Sequence, residues 1–163
     1  KALNLGFDII FKIDGDGQHD PKDIKKFLKP LVKTDVNFCK GSRFLKKSDR
    51  QKIPLLRYIG NVILTLLTKL NCRKINLTDA VNGYLAIKRP LLKKINLDKV
   101  SSNFFFEEDL LFHLSFHNLS IKEIPIKTIY NGHSNLSPFK TILPFMFNHF
   151  KNFFIRIYVD KIK

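Results

Sequence analysis

The strongest constraint on the fold lies near the start of the chain. Phe7 to Ile13 (FDIIFKI) is a short run rich in Ile and Phe, and Asp14-Gly15-Asp16-Gly17 ends it. Such a run reads as a buried strand of a parallel sheet. Open α/β sheets bind ligands at the carboxyl ends of their strands, so Asp14 and Asp16 stand where a ligand is expected. Two carboxylates at i and i+2, separated by glycine, can reach one hard cation, and Gln18 offers a third oxygen. That partial shell leaves positions for water and substrate phosphates, which suits Mg2+ or Mn2+. An EF-hand fails on spacing: with Asp16 and Gly17 at its fifth and sixth positions, the first falls on Lys12, which cannot ligate calcium. The remaining alternative is a glycine-rich turn with solvated aspartates.

The rest of the chain continues an α/β pattern. Asp20 and Pro21 read as an N-cap and first helical position. Ile24, Phe27, Leu28 and Leu31 then form one apolar helical stripe. Val36 to Lys40 reads as a second strand, closed by Gly41-Ser42-Arg43. Pro54 opens a long helix to about Leu70, apolar around much of its circumference. Gly83 to Ile87 reads as a strand and Pro90 to Ile95 as a helical turn. Phe104 to Phe116 reads as a helix with acidic residues in its first turn. Ile121 to Tyr130 reads as a strand with Pro125 at an edge, and the Phe-rich basic tail from Pro138 as helix to about Val159.

Composition narrows the function classes. The chain has 163 residues, 44% of them hydrophobic with 16 Phe, enough for one core and against wholesale disorder. Lys and Arg number 29 against 14 Asp and Glu, a net charge of +15, which points to a polyanionic partner. The lysines are scattered (Lys25-Lys26, Lys46-Lys47, Lys93-Lys94), which weighs against nucleic acid and leaves phosphorylated substrates and anionic membrane. Cys39 and Cys72 have neither the number nor the spacing of a disulfide framework or zinc site, which suits a reducing compartment. Arg57 interrupts the best apolar stretch, Ile53 to Leu70, before it reaches the roughly 18 residues of a membrane span. The only methionine is Met146, so the chain is expected to be a piece of a longer one.

An ordered series of segments resembles the family 2 glycosyltransferases, in particular the dolichyl- or polyprenyl-phosphate sugar synthase-like branch. Ile13-Asp14-Gly15-Asp16-Gly17-Gln18-His19-Asp20-Pro21 is similar to the family's DXD segment and following helix start. Gly41-Ser42-Arg43 is similar to its G-S-R, and Arg57 with Asn61 to its R-x-x-x-[SN]. Asp79-Ala80-Val81-Asn82-Gly83-Tyr84 resembles D-x-x-S-G-[FY], with Asn82 where serine is commoner. Phe106-Glu107-Glu108-Asp109 resembles F-x-x-E with Asp109 in the glutamate's place. Glu123-Ile124-Pro125-Ile126 matches E-[VI]-P-[IV], and Ser134 to Lys140 resembles S-x-x-x-P-[FI]-[KR].

The resemblance implies a partial GT-A, Rossmann-like mixed sheet flanked by helices. Residues 1–137 would be the C-terminal part of the catalytic domain, and 138–163 an amphipathic helical tail. It implies a metal-dependent inverting transferase taking a nucleotide sugar as donor and a polyprenyl phosphate or related cell-envelope molecule as acceptor. Asp14, Asp16 and Gln18 would hold Mg2+ or Mn2+, with His19 beside the donor. Arg43, Arg57, Asn61, Ser134 and Lys140 would bind the acceptor phosphate. Asp79, Glu108 and Asp109 are the candidate catalytic carboxylates, Asp79 as base for a sugar hydroxyl or as orienting group for an acceptor that is already anionic. The tail's aromatic and basic residues suit a helix in a membrane interface or one packed on the core, and the working place is the cytoplasmic, inner face of a membrane. His113 and His117, i and i+4, read as structural. The rival functions are transfer to a glycan hydroxyl in surface polysaccharide synthesis and an inactive basic module binding anionic lipid or nucleic acid.

Overall fold

The computed structural model describes residues 2–72, 75–127 and 138–162, with the side chains of 138–142 outside the description. In chain order the elements are β1 (Ile9–Lys12), α1 (Ile24–Lys33), β2 (Phe38–Ser42), α2 (Lys47–Arg50) and α3 (Leu55–Asn71). They continue as β3 (Leu85–Lys88), α4 (Arg89–Leu92), α5 (Phe106–Leu114), β4 (Ile121–Pro125) and α6 (Pro138–Ile162). Short 3-10 turns at Pro21–Asp23 and Leu97–Lys99 complete the set. Asp20 accepts the Lys22 N–H at 2.9 Å and so caps the turn that leads into α1.

The strands form one mixed sheet in the order β1-β3-β2-β4, with β3 antiparallel to both β1 and β2 and β4 parallel to β2. The strand expected near the start forms, but it is half-buried and its described pairing is antiparallel. Among the described residues β1 pairs with β3 alone, all four of its residues are half-buried, and Phe7 and Ile13 are exposed. Apolar content fixed it as a strand but not its neighbour, because antiparallel pairing depends on a partner some seventy positions away in sequence.

Side-chain alternation divides the core between the two faces. Phe38, Leu85 and Ile87 face a cluster closed by Leu110, Leu111, Phe112 and Leu114 of α5. Cys39, Tyr84 and Ala86 face the other, where Phe27 and Leu31 of α1 pack with Ile124 and Ile126. Both thiols are buried, and burial pushes each up to about 12.

α3 is turned inside out. Its buried residues are Thr65, Thr68 and Asn71, while Leu55, Leu56, Ile59, Ile63, Leu66 and Leu70 are exposed. Polar contacts account for the inward face: Thr65 Oγ1 accepts the Ala80 N–H at 3.1 Å, and Asn71 Nδ2 meets Nδ1 and the carbonyl oxygen of His149, each at 3.0 Å. Those bonds fasten α6 to α3, helped by Arg156, which donates to the carbonyl of Leu70. α6 in turn exposes Leu143, Phe147, Phe150 and Phe154, so two adjoining helices present apolar side chains outward. No described helix is long and apolar enough to cross a membrane.

Candidate active site

The turn after β1 is built around Asp14. Its carboxylate takes the Lys12 ammonium at 2.5 Å and lies 3.9 Å from His19 Nε2. It also occupies the space above Gly83: a Cβ there would sit 1.9 Å from Asp14 Oδ2. Gly83 is therefore glycine because a carboxylate fills the place of its side chain. Asp16 is exposed, and its Oδ1 accepts the Gln18 N–H at 3.0 Å, which folds the turn back on itself. Gly17 lies at φ 74°, the left-handed backbone that this reversal requires. His19 is buried against Tyr84, with ring centroids 5.2 Å apart, and Tyr84 stacks on Phe27 at 4.4 Å. Burial lowers the pKa of His19, with Asp14 and Asp16 pulling the other way.

Three of the sequence segments converge on Asp79. Arg43 clamps it with Nε to Oδ2 and Nη2 to Oδ1, both 2.7 Å, and its backbone N–H adds a third bond at 3.1 Å. The loop carrying Asp79 is held from β4, where Glu123 Oε1 accepts from Thr78 N at 2.8 Å, Thr78 Oγ1 at 2.9 Å and Asp79 N at 3.3 Å. Ser42 Oγ meets Thr78 Oγ1 at 2.7 Å and accepts the Phe44 N–H at 3.1 Å. Asp79 is thus fully buried behind Arg43, with both oxygens engaged by the guanidinium.

Behind these groups lies a buried charge cluster. Lys40 is completely buried and donates to the Asn82 carbonyl at 2.5 Å. Burial lowers its pKa, while Glu107, Glu108 and Asp79 oppose the shift. Glu108 is buried with no hydrogen-bond partner on either oxygen among the described residues, and burial pushes it up to about 8. The folded carboxyl therefore keeps its proton to about pH 8, whereas the unfolded one releases it near its ordinary value of 4.5. Between those values this carboxyl binds fewer protons in the unfolded state, so its own contribution to stability falls as pH rises, while His149, pushed down to about 4 by burial, acts in the opposite sense up to its ordinary value of 6.5. Replacing Glu108 by Gln is expected to remove this group's share: between pH 5 and pH 8 the melting temperature of the variant should rise by several degrees relative to that of the parent.

The three acids opening α5 do not act together. Glu107 reaches toward the acidic turn and pairs with Lys12 at 2.5 Å. Asp109 points away: Oδ2 accepts from Ser101 N at 2.8 Å and Ser101 Oγ at 2.7 Å, while Oδ1 accepts from Asn152 Nδ2 at 3.0 Å. Its bonds to Asn152 tie α5 to α6, and those to Ser101 hold the segment before α5. The acid that touches the turn is Glu107, and sequence reasoning missed its link to Lys12. Arg57 and Asn61 lie one turn apart on α3, both half-buried. Ser134 and the side chain of Lys140 lie outside the described residues.

The donor set fits a divalent ion. Asp14 and Asp16 present hard oxygens at i and i+2, and Asp14 already draws the Lys12 ammonium to its Oδ1. Among the described residues no group of three or more His, Cys, Asp or Glu is placed to hold a metal ion, so an ion here would rest on Asp14 and Asp16 with other oxygens completing its shell. An open shell of this kind matches ions that keep water and phosphate oxygens as ligands.

No family model matches the chain. It is 36% identical to an uncharacterised protein of Methanocaldococcus jannaschii over 126 residues, 77% of this chain and 51% of that protein. It is 32% identical over 134 residues to a UDP-N-acetylglucosamine–dolichyl-phosphate N-acetylglucosaminyltransferase of Methanococcus voltae, covering 82% and 53%. With a polyprenol monophosphomannose synthase of Mycolicibacterium smegmatis it shares 26% identity over 77% of its length and 47% of the other's. The chain thus spans about half the length of the curated relatives it matches. Among solved structures, a glucosyl-3-phosphoglycerate synthase from Mycobacterium tuberculosis superposes with a TM-score of 0.58 at 15% identity, covering 95% of this chain and 52% of that one. The mixed sheet ending in an acidic turn is the GT-A fold of glycosyltransferases. Within that class the chain is similar to dolichyl- and polyprenyl-phosphate sugar transferases, in agreement with the resemblance to family 2 carried by its sequence segments.

Proposed function

We propose that the protein moves a sugar from a nucleoside-diphosphate donor to a polyprenyl phosphate, by a single displacement with inversion. The observation that carries this reading is the seating of Asp14 over Gly83 beside an exposed Asp16, an open acidic turn where a donor diphosphate would dock. Asp14, Asp16 and Gln18 would hold Mg2+ or Mn2+, which supplies Lewis-acid stabilisation of the departing diphosphate. His19, kept neutral by burial, packs the turn against Tyr84 and flanks the donor. Arg57 and Asn61 receive the acceptor phosphate from α3, joined by Arg43, whose guanidinium Asp79 holds in place. Ser134 and Lys140 are proposed to close over the same phosphate. A phosphate oxygen is already anionic near neutral pH and needs no strong base, which agrees with a fully buried, ion-paired Asp79 in an orienting role.

The inverted α3 supports the lipid acceptor. A helix that turns Thr and Asn inward and Leu outward has a second apolar environment, and exposed patches of this kind mark interaction surfaces. Leu56 is 75% exposed, next to Arg57, and Phe147 on α6 is 71% exposed. With a basic chain, α3 and the 138–163 tail would lie in the interface of an anionic membrane, on its cytoplasmic face, with Arg57 near the level of the lipid phosphates.

A transfer assay tests the reading. With radiolabelled nucleotide sugar and a polyprenyl phosphate in anionic vesicles, product is expected to partition into organic solvent. The pair Leu56→Glu and Phe147→Glu should lower both vesicle binding and lipid-linked product by about tenfold or more. Label appearing only on a glycan hydroxyl, with vesicle binding unchanged by those substitutions, would overturn the lipid acceptor.

A further inference from the structure

Lys12 ends β1 two positions before Asp14, so strand alternation sends both side chains to one side. Its ammonium is shared. Nζ lies 2.5 Å from Asp14 Oδ1 and 2.5 Å from Glu107 Oε1, and it sits 5.8 Å from the Phe106 ring centroid. The Lys12 side chain is 34% exposed and that of Glu107 only 10%, so the bridge joins the open turn to the protein's interior.

We propose that Lys12 is a resident counter-cation of the acidic turn, displaced from Asp14 when a divalent ion arrives and retained by Glu107. Lys12 and Glu107 are then positioning residues that set the turn's affinity for metal. This rests on the reading of Asp14 and Asp16 as metal ligands. With no ion bound, the ammonium balances the Asp14 carboxylate and holds it over Gly83. An incoming ion must compete for the same oxygen and meets repulsion from the ammonium. Glu107 gives the displaced ammonium a partner, and the face of Phe106 gives it a favourable neighbour. No charge is stranded by the exchange.

The two ends of the bridge therefore have opposite effects on metal binding. Lys12→Met removes the competitor and should tighten Mn2+ binding. Glu107→Gln leaves Lys12 with Asp14 alone and should weaken it. A bridge that merely braces the turn predicts weakening from both changes. The test is Mn2+ binding to the chain without nucleotide, read as free Mn2+ by electron paramagnetic resonance, with circular dichroism as the check on folding and Lys12→Gln as a second variant. Shifts of about tenfold in opposite directions are expected. Weakening by both substitutions, or no tightening in either Lys12 variant, overturns the proposal while leaving the metal site standing. If Asp14→Asn binds Mn2+ as well as the parent does, the metal reading itself fails, and this inference with it.

Discussion

Asp14→Asn is expected to lower transfer by roughly a hundred- to a thousandfold, the usual cost of removing a group that stabilises charge developing in the transition state. The fold should survive, because the Asp14 side chain is 40% exposed and its amide isostere keeps the same shape. Asp16→Asn should behave alike, since Asp16 is exposed and its bond to the Gln18 N–H is local to the turn. The sharper version leaves every carboxylate intact. In Gly83→Ala the new Cβ would lie 1.9 Å from Asp14 Oδ2 and 2.7 Å from its Cγ, so the aspartate must leave its seat. A comparable loss of rate, with melting temperature little changed, is the expected outcome of a radiolabelled transfer assay run beside thermal melts. Full activity in Gly83→Ala would show that the seat of Asp14 is irrelevant to the reaction.

The second large effect concerns stability. Asp79 is fully buried, and the Arg43 side chain is only 13% exposed, so the pair is sheltered from solvent on both sides. Asp79→Ala leaves a guanidinium without its anion and should cost about 3–5 kcal/mol. For a chain of this size that corresponds to a fall in Tm on the order of 10 °C. Asp79→Leu combined with Arg43→Met should recover most of the lost stability, since replacing both partners of a buried pair by apolar groups is often neutral. Transfer should stay low in the double variant if Arg43 binds acceptor phosphate. Restored transfer would reduce the pair to scaffolding.

How far the sequence could be read varies with the physics of each element. α1 was legible because Phe27 and Leu31 sit on a stripe that nothing else competes for. α3 was legible as a helix but not in orientation, since leucines usually mark the inner face and here Thr65, Thr68 and Asn71 do. What decides it is tertiary: Ala80 and His149 offer those polar groups partners. Among the acids of α5, adjacent positions point in directions about 100° apart around the helix. Glu107 therefore meets Lys12 while Asp109 meets Ser101 and Asn152. Local pattern cannot choose between them. The Arg43–Asp79 clamp, 36 positions apart, was visible only as two separate segments assigned separate duties. The Glu123 contact with Thr78 gives the E-I-P-I strand a purpose that its composition conceals: it anchors the loop bearing Asp79.

The seating of Asp14 on Gly83 also bears on the order in which the molecule assembles. Among the described residues the strand before the turn takes its ladder from β3, and Glu107 joins from a helix further on. Each of these encounters closes a long loop, which makes them slow relative to helix formation. The acidic turn is thus shaped by contacts far apart in sequence, and its geometry depends on β1, β3 and α5 having come together.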